Sequence, residues 1–277
     1  MRITYGKQQS DAWLKNRIGR VTGSRIADVC SFLTRKSGDK QAGDSSAKRD
    51  AYRLELIAER LTGRAKDHYV SPAMEHGMET ENDARLYYEG ALRVMCEPVS
   101  FVLHPKYNFT GASPDSLVGD DGVLEIKCPE TTTHIEYILG GRIPDEYLPQ
   151  MAWEMACTER QWADFVSYDP RVQDEKLRFF YRRVTREQLV WIVGTGLTER
   201  ILTGQAVLDY FTEQVVKLNA EIESFFEQHG AKAIAPFPVE VITEDGVPEP
   251  VGLSEGDPGD VTGPAYAFLD EGVEMTP

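Results

Sequence analysis

Apolar residues recur at helical spacing between about residues 47 and 61, and Gly63 supplies a stop for the helix they predict. Ser71-Pro72 opens a further helix to about residue 89, with Pro in the first turn, where its missing N–H costs nothing. Upstream, Thr22-Gly23-Ser24 reads as an N-cap leading into a short helix to about Leu33, and the polar, Gly/Ser-containing residues 34–46 read as a loop. Beyond residue 92 the pattern changes to β-type segments at about 92–103, 109–119 and 123–127, the last two separated by Asp120-Asp121-Gly122. Helices are predicted at 131–139 and 146–157, strands at about 161–168 and 177–184, and a mostly helical segment from Arg186 to about Phe226. Helices before and after a compact sheet indicate an α/β fold in one domain, and 277 residues with 41% hydrophobic content suffice for its core.

Composition narrows the classes. No apolar run approaches the roughly 18 residues of a membrane span, and the first residues carry no apolar signal region, so a cytoplasmic protein is expected. Four cysteines without a C-x-x-C pair argue against a disulfide framework or thiolate zinc site. Five scattered histidines give no H-E-x-x-H pair, which disfavours a zinc hydrolase. The net charge of −15 is uneven: residues 235–277 hold ten acidic residues, seven of the fifteen prolines and no Lys or Arg. Without that stretch 30 basic residues face 35 acidic ones, a net of −5. A boundary near residue 232 is therefore expected, with 1–232 the folded domain and 233–277 a flexible or partner-binding tail. Within the tail, Ala265-Tyr266-Ala267-Phe268-Leu269 forms an apolar island. The cluster Arg35, Lys36, Lys40, Lys48 and Arg49 offers a local basic surface for nucleic acid despite the acidic total.

The candidate chemistry lies in the hairpin from Gly111 to Pro129. Strand alternation puts Glu125 and Lys127 on one face and Ile126 on the other. A two-residue Asp121-Gly122 turn would leave Asp115 on the wrong face. A three-residue Asp-Asp-Gly loop, with Gly122 left-handed, pairs Gly119 with Val123 and Asp115 with Lys127, and is the expected register. Asp115, Glu125 and the Ile126 carbonyl then form an oxygen-rich site suited to Mg²⁺, with Mn²⁺ able to substitute. Lys127 beside it can orient or help deprotonate a water and steady a scissile phosphate. Gln150, in Tyr147-Leu148-Pro149-Gln150, is placed to contact that water or the lysine, and Glu81 is a possible further carboxylate.

Asp11-Ala12-Trp13, Arg17-Ile18-Gly19, Thr22-Gly23-Ser24, the stretch from Gly77 to Arg85, Ser113-Pro114-Asp115, Glu125-Ile126-Lys127-Cys128-Pro129 and Tyr147 to Gln150 together resemble the YqaJ-like viral recombinase (lambda exonuclease-type) family of the PD-(D/E)XK nuclease superfamily. The order and spacing match over about residues 11–185. The resemblance implies a mixed sheet flanked by helices and Mg²⁺-dependent 5′→3′ digestion of one strand of linear duplex DNA. It also implies a homotrimer ring around the DNA and exposure of 3′ single strands for a strand-annealing recombinase, in a host cytoplasm if the gene is phage-borne. It puts the metal and catalytic functions on Asp115, Glu125 and Lys127, supported by Glu81 and Gln150, and a 5′-phosphate pocket on Arg17, Ser24 and Ser113. A guanidinium able to grip phosphate with two N–H groups, and a serine opening a helix, fit that pocket chemically. The alternatives are an endonuclease of the same superfamily and a non-catalytic DNA-end-binding recombination accessory protein.

Overall fold

The computed structural model describes residues 2–66, 72–194, 198–242 and 248–250. Chain order is β1 (Arg2–Thr4), α1 (Asp11–Arg17), β2 (Val21–Thr22), α2 (Ile26–Val29), α3 (Ala47–Thr62), α4 (Pro72–Leu92), β3 (Cys96–Glu97), β4 (Phe101–Leu103), β5 (Thr110–Ala112), β6 (Ser116–Val118) and β7 (Gly122–Lys127). It continues with α5 (Thr131–Gly140), α6 (Leu148–Thr158), β8 (Trp162–Tyr168), β9 (Phe179–Thr185), β10 (Val190–Val193), β11 (Arg200–Thr203), α7 (Gln205–His229), β12 (Glu240–Ile242) and β13 (Pro248–Pro250).

The central sheet has the order β3-β6-β7-β8-β9, antiparallel except for the β7/β8 pair. A parallel pair needs a long crossover, and α5 and α6 provide it. A smaller sheet, β1-β4-β5-β2, lies beside it. Alternation along β7 and β8 divides the core. Leu124, Ile126, Val166 and Tyr168 pack with Ala84 and Tyr88 of α4, whereas Val123, Ala163 and Phe165 join Met151, Trp153 and Met155 of α6 and the apolar stripe of α7. The sheet is thus mixed, flanked by helices and PD-(D/E)XK nuclease-like, as the sequence implies.

The α3 expectation holds closely: Ser46 caps its N-terminus by accepting from Arg49 N–H, and Gly63 ends it in the left-handed conformation (φ 64°). Ser71, the cap expected for α4, lies outside the described residues. Three expectations are corrected. The helix drawn from Thr22 to Leu33 is only a 3-10 turn, Gly23–Arg25, and the four-residue α2. The first part of the segment after Arg186 is not α-helical: one 3-10 turn, Arg186–Gln188, leads into the antiparallel hairpin of β10 and β11 before α7 begins. The β-branched and aromatic run Val190-Trp191-Ile192-Val193 suits such a hairpin, with Trp191 packed edge-on against Phe211 of α7. Two members of the basic cluster are also taken up within the fold, while Arg35, Lys36 and Lys48 stay exposed. Arg49 is buried and gives Glu221 two hydrogen bonds, of 2.9 and 2.7 Å, while Lys40 is paired with Asp50.

The chain keeps contact with its body after residue 232. Ile234 N–H donates to Arg60 O at 2.7 Å, Ala235 is buried, and Phe237 O accepts from Arg20. The island at 265–269 lies outside the described residues. Among the described residues no helix is long and apolar enough to cross a membrane.

Candidate active site

The β6/β7 hairpin pairs Ser116 with Leu124 and Val118 with Gly122. Continued one place, this register sets Asp115 opposite Glu125, not Lys127. The loop has three residues, as expected, but they are Gly119-Asp120-Asp121, with Gly119 taking the positive φ (52°). Gly122 is needed inside the strand, because a Cβ there would lie 2.0 Å from the Trp162 ring on β8. Arg160 then fixes the turn by donating to the carbonyls of Val118 (3.3 Å), Gly119 and Gly122 (2.9 Å). The shift is by two residues, so the parity that puts Asp115, Glu125 and Lys127 on one face survives.

Around that face the side chains converge. Asp115 leaves the ladder: its N–H bonds Leu124 O at 3.0 Å and its Oδ2 accepts the Ile126 N–H at 2.6 Å. Glu125 is 1% exposed and receives Lys127 Nζ and, at 2.6 Å, Gln150 Nε2 from α6 on the same oxygen, Oε1. The Gln150 amide also donates to Glu154 Oε1 at 2.9 Å. Lys127 Nζ further sits 5.1 Å from the centre of the Tyr147 ring. Glu81 reaches the cluster from α4 on the other face of the sheet, acting on it through charge. A cleft of about 700 Å³ opens in front of Asp115, walled by Gln8, Ser10, Met78, Glu81 and Asn82. Gln8 holds its floor, donating to Pro114 O at 3.0 Å.

The electrostatics are those of crowded acids. Burial, then the neighbouring Glu125 and Glu81, push the Asp115 carboxyl well above its ordinary range. Burial and Glu125 do the same to Glu154. Burial disfavours the Lys127 ammonium, but Glu125 and Asp115 outweigh it and raise its pKa. Oε2 of Glu125 and Oε2 of Glu154 are buried and have no hydrogen-bond partner among the described residues. An orphaned carboxylate oxygen among like charges is a site a hard cation would satisfy. Among the described residues no three His, Cys, Asp or Glu side chains are arranged to hold an ion, so coordination here would draw on two carboxylates and backbone.

Arg17 links the other two residues of the anticipated anion pocket: it is hydrogen-bonded to Ser113 and shares a cavity with Ser24. Ser113 Oγ receives Trp13 Nε1 at 2.9 Å and Arg17 Nη1 at 3.2 Å, and the Arg17 guanidinium lies 4.3 Å from the centre of the Trp13 ring. Arg17 and Ser24 line a cavity of about 120 Å³ with Arg25, Tyr52, Glu55 and Glu59. Burial lowers the Arg17 pKa to about 10, as expected for a cation with little water and no carboxylate hydrogen-bonded to it among the described residues. Sequence reasoning missed Glu154, Trp13 and Arg25. Glu154 had a signal, since it lies one helical turn beyond Gln150 on the same face.

A carboxylate pair and a lysine at the central β6/β7 hairpin of a mixed sheet, faced by a helix carrying a glutamine, define a nuclease of the PD-(D/E)XK class. The chain belongs to the YqaJ-like viral recombinase domain family, whose model matches residues 12–161, and is a nuclease of the lambda exonuclease type. An alkaline exonuclease of Laribacter hongkongensis is 36% identical, with a TM-score of 0.66 over 80% of this chain and 96% of its own. The same enzyme in complex with dAMP aligns with a TM-score of 0.64, covering 80% and 98% of the two chains. A phage-related exonuclease of Haemophilus somnus, 12% identical with a TM-score of 0.55 over 76% and 96%, shares the fold. Among functionally curated proteins none matches the chain.

Proposed function

We propose that the protein is a divalent-metal-dependent exodeoxyribonuclease that enters linear duplex DNA at an end and digests one strand 5′→3′. The 3′ single strand so exposed would pass to a strand-annealing recombinase, and three copies would ring the DNA. The observation that carries this reading is the contiguity of the two sites. Ser113, hydrogen-bonded to Arg17, stands two residues before Asp115 in the chain, so an anchored terminal phosphate and the carboxylate cluster share one short segment. The Laribacter exonuclease is found in complex with dAMP, a nucleotide with a terminal phosphate, which supports a nucleotide-end-binding reading.

Asp115, Glu125 and the Ile126 carbonyl would hold Mg²⁺ or Mn²⁺, and the partnerless Glu125 Oε2 fits that role. Such an ion supplies a nucleophilic water at neutral pH and neutralises charge on the phosphate under attack. Lys127, hydrogen-bonded to Glu125 at the cluster, would orient the water or help deprotonate it and steady the scissile phosphate. Gln150 commits its amide nitrogen to Glu125 and Glu154, which leaves its carbonyl oxygen to orient the water. Arg17, Ser24 and Ser113 hold the 5′-phosphate and so position the next bond.

The test uses linear duplexes labelled at either end, with closed circles as control, in the presence of Mg²⁺. Loss from 5′ ends with circles intact is the expected result. Cut circles would mean an endonuclease, and end binding without digestion would mean an accessory protein.

A further inference from the structure

The anion pocket is lined by two further arginines: Arg20, whose guanidinium donates to the carbonyls of Asn16, Asn108 and Phe237, and Arg25. Arg25 lines the same cavity as Arg17 and Ser24, and its guanidinium lies 4.1 Å from the centre of the Tyr52 ring, much as that of Arg17 lies on Trp13. A guanidinium over an aromatic ring does not spend its N–H groups on that contact, and they stay available to oxygen acceptors. Arg25 Nε donates to Asp28 Oδ2 at 2.7 Å and Nη1 to Glu55 Oε1 at 2.9 Å. Nη2 has no hydrogen bond among the described residues. Glu55 is only 14% exposed, lines the cavity, and is also paired with Lys66 Nζ at 3.2 Å. A carboxylate from the cavity wall therefore already holds part of the fork that a phosphate oxygen would take, and a second cation is at hand to hold that carboxylate.

The charge balance gives this arrangement a purpose. A terminal phosphomonoester carries about −1.5 to −2 at pH 7, whereas an internal phosphodiester carries one negative charge. One arginine suffices for an internal phosphate. Two arginines whose N–H groups are not spent on backbone carbonyls match a terminal one better, and Arg17 and Arg25 are those two.

We propose that Arg25 is a phosphate-binding residue that exchanges Glu55 for the 5′-terminal phosphate, with Lys66 retaining Glu55, and that this exchange sets the selectivity for monoester ends. The proposal rests on the reading of Arg17, Ser24 and Ser113 as the 5′-phosphate pocket. It is tested by initial rates over a range of concentrations of matched duplexes bearing a 5′-phosphate or a 5′-hydroxyl, for wild type, Arg17→Ala, Arg25→Gln, Arg25→Lys and Glu55→Gln, with melting curves for each.

Arg25→Gln is expected to lower the phosphate-over-hydroxyl ratio about tenfold or more, through KM for the phosphorylated end and not kcat. Arg25→Lys, which keeps the charge without the fork, should fall between. Glu55→Gln should hold the ratio at or above wild type, because a competitor is removed. A wild-type ratio in Arg25→Gln alongside its loss in Arg17→Ala overturns the proposal and leaves the pocket standing. A ratio near one in the wild type withdraws the pocket itself. If Arg25→Gln melts early, a ratio that falls in Glu55→Gln overturns the exchange, and an intermediate ratio in Arg25→Lys supports it.

Discussion

Replacing Lys127 by Ala separates ion binding from chemistry, and the structure gives the size of both effects. The ammonium occupies Glu125 Oε1, so a divalent ion must share that carboxylate with it. Without Lys127, Glu125 retains the Gln150 amide but sits among Asp115, Glu81 and Glu154 with no cation on it. Breaking a buried pair by removing one partner costs about 3–5 kcal/mol; the lysine side chain is 28% exposed, which puts the expected loss near the lower end. For a chain of this size that is a fall in Tm of about 6–12 °C without metal. Mg²⁺ should restore more of the Tm in Lys127→Ala than it adds to the wild type, because the ion now fills a charge deficit. Its affinity should be unchanged or higher. Turnover, by contrast, should drop at least about 10²- to 10³-fold, the usual loss when a preorganised electrostatic group is removed. Asp115→Ala should lose both ion and activity. Calorimetric titration with Mg²⁺, melting with and without it, and single-turnover rates on a linear duplex make the comparison. If Lys127→Ala lost the ion as completely as Asp115→Ala, the division of roles would be wrong.

Other outcomes follow from the same geometry. The wild type should degrade 5′-phosphorylated ends roughly 10- to 150-fold faster than 5′-hydroxyl ends, and Arg17→Ala should abolish the difference; equal wild-type rates would remove the pocket. Glu154→Leu should slow kcat about tenfold by freeing the Gln150 amide, with Tm unchanged or raised because a buried partnerless oxygen is gone, while Glu154→Gln keeps most activity. A Leu variant at full rate would show that Glu125 alone fixes Gln150. His104, stacked on Trp153 and lowered to about pKa 4 by burial, stays neutral when folded but protonates near pH 6.5 when unfolded. Its contribution is therefore lost as pH falls from about 6.5 toward 4, about 2 kcal/mol by pH 5. Urea unfolding at pH 7 and 5 should show a smaller difference for His104→Phe, and an equal one would refute the assignment. Deleting residues 251–277 should leave digestion of naked DNA unchanged, whereas deletion from 235 removes Ala235 and Phe237 from their contacts and should lower Tm. Equal Tm values for the two truncations would show those contacts to be idle.

The face of the site was legible in the sequence because strand parity is robust, and a two-place error in register does not change it. The register itself was not, since it depends on Trp162, forty residues further on, resting where a Gly122 side chain would be. The β10/β11 hairpin was missed because an apolar run beside a strongly helical segment carries no period of its own. Arg49 was misread as a surface cation, although it shares a helical face with Tyr52 and Leu56, which are buried beside it. Arg25 followed Ser24 in plain view, but only folding sets Tyr52 under it and Glu55 against it.

Arg160 has a practical consequence for anyone modifying this chain. An exposed, Asp-rich turn such as Gly119-Asp120-Asp121 is ordinarily where a protein accepts an inserted tag or fluorophore. Here Arg160, just past α6, holds the carbonyls of Val118, Gly119 and Gly122, while Gln161 N–H takes Asp121 O at 2.8 Å. The turn is thereby stapled to the end of the helix that carries Gln150 and Glu154. A label placed there would pull on both halves of the carboxylate cluster from the far end of their strands and helix. Labels are better carried beyond residue 250.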